Sequence, residues 1–338
     1  MKTHILAVGA LLLAALTPAV AADQAMIDAA KKEGEVNWYT TQIVNQFVRP
    51  AITAFEKKYG IKVNYFRGNA TDIALKVTTE GKAGKVQADV VDGTATSVML
   101  RREDLVMKWV PENNFAKQFV DPDGYWIASN FYVLTPGYNT EMVKKADVPK
   151  TYADLLDPKW KGKMIWNATS SASAGAGFVG TVLLSMGDDK GMEYLRALAK
   201  QNVVSVASSG RQVLDQVISG EYPLGLQIFN NHASISARQG APSAWTALDT
   251  SLAVIATISV TKATSRPNAA KLFVEFVTSE EGQKLLADAG ELPVHPNVKP
   301  IDPTLRPEDG KFNALFISPE QLEQSMPRWA KIYQEMFR

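Results

Sequence analysis

The sequence predicts an α/β protein of two lobes, and three observations carry that prediction. Short strand-like segments alternate with longer segments of helical period, first over residues 35–102 and again over residues 163–238. Between these blocks, residues 124–139 (GYWIASNFYVLTPGYN) are aromatic and extended and break the alternation. The chain has 338 residues, and beyond ~250 residues a single core usually gives way to two.

In the first block, residues 35–40 (EVNWYT) read as a strand and residues 47–59 as a helix ending at Gly60. Residues 61–66 alternate like a strand, 71–80 read as a helix, 88–91 as a short buried strand and 94–102 as a helix. That order predicts a parallel sheet with helices on its faces. Residues 124–139 are predicted to be strands that carry the chain to the second lobe, with a turn at Pro136-Gly137. The second block gives strands at 163–166, 203–206 and 224–229 and helices at 173–186, 190–199, 209–219 and 231–238. Residues 251–260 form a long strand returning to the first lobe, and helices follow at 267–277, 279–287 and 319–336. Proline at position 267 suits a helix start, where its missing donor costs nothing.

The amino terminus and the composition limit what such a protein does. Lys2 precedes an apolar run over residues 5–16, and Ala19-Val20-Ala21 follow, the pattern of a secretory signal peptide spanning 1–21. The run is shorter than the ~20 residues that span a bilayer. Cleavage near Ala21/Ala22 is expected to release a freely soluble, periplasmic chain. Losing Lys2 leaves 35 Lys and Arg against 35 Asp and Glu, a neutral balance that disfavours nucleic acid and polybasic membrane contacts. With no cysteine, disulfides are excluded and stability rests on packed cores.

Ligands of open α/β sheets bind beyond the carboxyl ends of strands, so the strand-to-helix loops are the candidate site. In the first block they supply Thr40, Thr41, Arg67, Thr94 and Thr96; in the second, Ser170, Ser171, Ser173, Ser208, Ser209, Arg211, Asn230, Asn231 and His232. Hydroxyl and amide residues at helix starts suit carboxylate or phosphate, but the same residues serve as ordinary helix caps. Arg211 at a helix start opposes the helix dipole, which a bound anion would compensate. Of the eight aromatics Trp38, Tyr39, Tyr125, Trp126, Phe131, Tyr132, Trp166 and Trp245, most are expected in the core, with Trp126 and Phe131 placed to line a cleft.

Catalytic and metal signatures are poor. His4 falls in the signal segment and His295 in a proline-flanked loop, which leaves His232 without an activating partner. Gly175 to Gly180 fits G-x-G-x-x-G only in form, since it falls inside a predicted helix, where close packing explains it. Asp188-Asp189 is read as a helix cap. No enzyme activity, metal or cofactor is expected.

Five strings carry a resemblance over the whole mature chain: AITAFEKKYGIKVNYFRG (51–68), QADVVDGTAT (87–96), YADLLDPKWKGKM (152–164), SGEYPLGLQIFNN (219–231) and PNAAKLFVEFVTSEEGQKLLADAGELPV (267–294). The chain resembles the ferric-iron-type branch of bacterial ABC-importer solute-binding proteins. The resemblance implies a type 2 periplasmic-binding fold whose lobes close on a ligand. It also implies iron ligands at positions that here hold Ile43, Thr71, His232 and Ala233, so the hard oxygen donors that ferric iron prefers are missing. The second-lobe helix starts and paired asparagines, which hold an anion beside the iron in that family, look retained, and related branches bind phosphorylated sugars, phosphonates or other organic anions.

The expectation is a monomeric binding component of an ABC importer that takes a small organic or phosphorus-containing anion and delivers it to a membrane permease and its ATPase. Lobe 1 is expected over 22–128 plus 247–295 and lobe 2 over 129–246 plus 296–338. The alternatives are a ferric iron (or ferric complex) receptor and a ligand-sensing partner of a membrane signalling protein.

Overall fold

The computed structural model describes residues 24–337. The signal-peptide reading lies outside them. The strands are β1 (Glu35–Thr40), β2 (Lys62–Arg67), β3 (Val90–Thr94), β4 (Ile127–Asn139), β5 (Met164–Asn167), β6 (Val204–Val206), β7 (Leu224–Phe229), β8 (Ser243–Trp245), β9 (Ser251–Val260) and β10 (Ala314–Ile317). The helices are α1 (Gln24–Glu33), α2 (Arg49–Tyr59), α3 (Ala70–Lys82), α4 (Thr96–Arg102), α5 (Gly175–Met186), α6 (Asp188–Ala199), α7 (Gly210–Ile218), α8 (Asn230–Arg238), α9 (Pro267–Thr278), α10 (Glu280–Asp288), α11 (Pro307–Gly310) and α12 (Pro319–Phe337).

One sheet runs in the order β2-β1-β3-β9-β4-β7-β5-β6, with β10 on β9 and β8 on β4. It has a parallel wing at each end: β1 is parallel to β2 and β3, and β5 is parallel to β6 and β7. The parallel order expected of the first block is thus found among β1, β2 and β3. The middle is antiparallel, because β9 runs against both β3 and β4, and β4 runs against β7. Two long strands thus join the wings, and Ile127 to Gly137 and the whole of β9 are buried.

The expected turn at Pro136-Gly137 is corrected. Both residues lie inside β4, which continues to Asn139. Proline has no N–H to give the ladder, and the β4–β7 register shifts between Thr135 and Gly137. The chain passes through without turning because Gly137 packs against Ile228, where a Cβ would come within 2.9 Å of a side-chain carbon.

Each wing has its own core. In the first, Trp38, Phe55 and Phe273 meet edge to face at ring distances of 5.0 Å for Trp38–Phe273 and Phe55–Phe273. In the second, Trp166, Phe178, Trp329 and Tyr333 cluster where α12 lies on α5. Fully burying each of these aromatics contributes about 1.5–3 kcal/mol, which is how a cysteine-free chain is held. The three glycines of the G-x-G-x-x-G string are packing residues. A Cβ on Gly175 would strike Tyr333, one on Gly180 would strike Trp329, and one on Gly177 would lie 1.8 Å from the carbonyl oxygen of Ala172.

The helix expected from residue 47 begins at Arg49 and is preceded by a π-helical turn, Val44–Val48. The helix expected from residue 94 begins at Thr96, because Gly93 (φ +141°) and Ala95 (φ +60°) hold the backbone in the left-handed half of conformational space. Trp126 and Phe131 do not line a cleft. Both are 3% exposed; Trp126 donates its indole N–H to Glu320 at 2.7 Å, and Phe131 stacks on Phe119.

Candidate functional site

The strand-end loops of the first wing converge on Gly93. A Cβ there would lie 2.4 Å from Thr96 Oγ1, 2.8 Å from Thr41 Cγ2 and 3.4 Å from Ala70 Cβ. Only glycine lets the loops after β1, β2 and β3 meet this closely. Beside it, the fully buried Asp92 ties the turn after β1. Its carboxylate accepts from Trp38 Nε1 (2.7 Å), Thr41 N (2.8 Å) and Thr41 Oγ1 (2.9 Å). Burial raises its pKa, and the hydrogen bonds from Thr40, Thr41 and Trp38 oppose that rise. Thr40 is fully buried, and its Oγ1 also accepts from Gln42 N at 3.1 Å. Thr94 is half-buried. Thr96 Oγ1 is buried with no hydrogen-bond partner.

Arg67 differs from all of these. It closes β2, is exposed, and takes part in no ion pair among the described residues. Its charge acts on the phenol of Tyr132 on the crossing strand β4.

Tyr132 marks the middle of the molecule. Its ring lies 4.7 Å from Phe229, whose ring in turn lies 5.1 Å from His232, so a row of rings runs from β4 to the start of α8. Its hydroxyl reaches Gln42 at 3.5 Å, and Gln42 Nε2 donates to Asn130 Oδ1 at 2.9 Å. Burial, aided by the nearby Glu291, holds the phenol well above its usual pKa, so it stays protonated. Glu291 is itself 1% exposed and accepts from Asn231 Nδ2 at 3.1 Å; burial pushes its carboxyl up to about 7.

In the second wing the loop after β5 carries a row of hydroxyls. Thr169 Oγ1 and Ser171 Oγ lie 3.0 Å apart, and Ser171 Oγ and Ser173 Oγ 3.5 Å apart; Ser170 is exposed beside them. The loop is fastened by Asn167, which accepts from Thr169 N at 2.6 Å and donates to Ser173 O at 3.3 Å. Ser173 also packs on the start of α7, where a Cβ on Gly210 would lie 3.4 Å from its side chain. Neither α5 nor α8 has a side chain capping its first turn. In α7, by contrast, Ser209 and Gln212 form a reciprocal capping box, and Ser208 Oγ reaches Ser209 O at 3.5 Å.

Arg211 is already engaged. It pairs with Asp215 one turn on (2.8 Å) and donates to Ser236 Oγ (3.0 Å), so a neighbouring carboxylate supplies the compensation its position requires. The paired asparagines are buried. Asn230 donates to Leu305 O at 2.9 Å and Asn231 to Glu291, which pins α8 to the segments after α10, and both side-chain oxygens stay unpartnered. His232 Nδ1 is buried without a partner, and burial, reinforced by the Arg211 charge, lowers the imidazole to about 4. It is neutral at pH 7.

The structure therefore gathers Thr41 and Thr96 around Gly93, with Thr40 buried beside Asp92, and gathers Ser171, Ser173 and the start of α7 around one loop. It places His232 at one end of the Tyr132–Phe229 ring row. Sequence reasoning gave Tyr132 only as an expected core aromatic and left out Asn130, Phe229 and Glu291, whose contacts join residues far apart in the chain, such as Gln42 to Asn130 and Asn231 to Glu291. Among the described residues there is no group of three or more His, Cys, Asp or Glu arranged to hold a metal ion.

Residues 50–311 match the family model for bacterial extracellular solute-binding proteins. The chain is 24% identical over 332 residues to iron uptake protein A1 of Synechocystis sp., covering 93% of this chain and 90% of that protein. It is 25% identical over 310 residues to a putative 2-aminoethylphosphonate-binding periplasmic protein of Salmonella typhimurium, covering 88% and 84%. The fold matches the crystal structure of iron-bound HitA from Pseudomonas aeruginosa with a TM-score of 0.75 at 24% identity, over 89% of this chain and 99% of that one. That likeness gives the type 2 periplasmic-binding fold. With the mixed sheet, the strand-end loops and the family match together, the chain belongs to the bacterial extracellular solute-binding proteins, as a non-enzymatic periplasmic receptor of an ABC importer.

Proposed function

We propose that the receptor binds a small organic or phosphorus-containing anion between two lobes, residues 22–128 plus 247–295 and residues 129–246 plus 296–338. The observation that carries this reading is Arg67, exposed at the end of β2 and in no ion pair among the described residues. Planar guanidinium donors suit carboxylate and phosphate bidentately. The second wing adds the first turns of α5 and α8, whose N–H groups no side chain caps, and the hydroxyls of Ser171 and Ser173. The relative named for 2-aminoethylphosphonate favours the same class of ligand.

Ferric iron is the competing cargo, since other relatives are named for iron uptake. It needs hard oxygen donors, and the positions that correspond to the iron ligands hold Ile43, Thr71, His232 and Ala233. A thermal-shift screen of the mature protein with 2-aminoethylphosphonate, glucose 6-phosphate, succinate and ferric citrate separates the two. An anion at 100 times its Kd should add about 2.7 kcal/mol of stability. Stabilisation by iron alone, with a coloured charge-transfer band, would overturn the anion reading.

A further inference from the structure

Gln227 lies inside β7 with φ +60°, in the left-handed region that non-glycine residues seldom enter, and it is 3% exposed. The cause is across the ladder. β4 and β7 pair at Thr135 with Ile228 and resume at Gly137 with Gly225, so Leu226 and Gln227 oppose Pro136 alone. Proline offers no N–H there, and β7 bulges. A bulge re-aims its side chain, and backbone held in such a conformation persists only where its surroundings fix it.

The re-aimed amide grips the hydroxyl-bearing loop. Gln227 Nε2 donates to Ala172 O at 3.1 Å and to Thr181 Oγ1 at 3.3 Å, while Thr181 Oγ1 donates to Gly177 O at 2.8 Å. Ala172 O in turn rests on Gly177, where any Cβ would collide with it. The loop between Ser171 and Ser173 is thereby held down on the first turns of α5. Three residues after Gln227, α8 begins at Asn230, so one strained residue sits between the two uncapped helix starts.

We propose that Gln227 is a positioning residue for the ligand site: its amide fixes the Ala172 carbonyl, and so sets where Ser171, Ser173 and the first N–H groups of α5 stand relative to the start of α8. The inference rests on the anion reading above. Two variants test it. Gln227→Gly accepts the backbone conformation freely but loses the amide, and Gln227→Glu keeps the size but replaces the donor with an acceptor.

Melting temperature, amide hydrogen exchange over residues 169–177, and calorimetric affinity for 2-aminoethylphosphonate and glucose 6-phosphate are measured for both variants and the wild type. Gln227→Gly is expected to melt within a few degrees of the wild type, while exchange in the loop rises and affinity for any probe the wild type binds falls at least tenfold. Gln227→Glu should lose affinity at least as strongly. If the wild type binds a probe and both variants bind it equally well, the positioning role is wrong and the anion reading stands. If exchange rises without loss of affinity, the role is again wrong. If the wild type binds neither probe, both readings fall.

Discussion

The two wings of the sheet end in loops built on opposite plans. After β1, β2 and β3 the loops are locked: Asp92 takes three hydrogen bonds in a dry site, and three loops close on a glycine. After β5 and β7 the groups are presented: a row of hydroxyls, two helices without side-chain caps, and a loop held from behind by Gln227. The difference implies that the first wing supplies a rigid wall with an exposed cation, Arg67, at the end of β2, and the second supplies the adaptable donors. Substitutions in the Asp92 lock should therefore cost stability, and those among the presented hydroxyls should cost affinity.

Asp92→Ala gives the largest expected effect. It strands Trp38 Nε1, Thr41 N and Thr41 Oγ1 in a buried site, at a cost of about 1–3 kcal/mol per unpaired group. A total loss of about 3 kcal/mol or more is expected in urea unfolding of the unliganded protein. A loss below ~1 kcal/mol would mean that the first wing is no more locked than the second.

Glu291 and His232 sit between the wings and titrate in opposite senses. The Glu291 carboxyl is raised from 4.5 to about 7, so the folded state holds a proton the unfolded state has released, and stability falls as pH rises from about 4.5 to 7. His232 is lowered from 6.5 to about 4, so the unfolded state binds the extra proton, and stability rises with pH across that interval. The two slopes largely cancel between pH 4.5 and 6.5. Glu291→Gln keeps an acceptor for Asn231 and removes one slope. It should be neutral at pH 4 and stabilise the protein by up to about 3 kcal/mol at pH 8. Urea titrations at four pH values check it, and an unchanged profile would place Glu291 in contact with water.

Sequence periodicity located the wings well because their elements are long or strongly patterned: β1, β7 and β9 fall on residues 35–40, 224–229 and 251–260 as expected. It passed over β8 and β10, which are too short for a pattern to rise above its surroundings, and α1. The antiparallel centre was hidden for a different reason. Strand direction depends on which strands become neighbours, and β3 meets β9 across more than 150 residues of chain. The site divides the same way. The capping role of Ser209 is local and readable, as is the Arg211–Asp215 pair four residues apart on one helix. The Asp92 lock, the Tyr132 ring row and the Gln227 clamp are contacts between distant segments, and the bulge that aims Gln227 follows from a proline on another strand.

Arg67→Ala bears on the exposed cation that closes β2 in the locked wing. It should weaken binding of an anionic probe by about 1.5–3 kcal/mol, the range for a lost charged hydrogen bond, and leave unfolding unchanged, since no ion pair is broken. Equal affinity in calorimetry would move the anion away from the end of β2.

The smallest effects separate presented from already engaged groups within the second wing, through Ser171→Ala and Arg211→Ala. The Ser171 hydroxyl meets only Thr169 and Ser173, at 3.0 and 3.5 Å, in a half-buried loop, so its removal should change stability by less than ~0.5 kcal/mol. If it donates to the ligand, affinity should still fall by about 1 kcal/mol. Arg211→Ala should show the reverse. Its guanidinium is spent on Asp215 and Ser236, so the loss should appear as about 0.3–1 kcal/mol of stability with little change in affinity. Removing this charge also relieves His232 of a neighbouring cation, so the imidazole should titrate at higher pH, visible in its NMR shift. A large affinity loss in Arg211→Ala with an unmoved His232 would show that the arginine leaves Asp215 when ligand arrives, and that the second wing, not the first, carries the cation that matters.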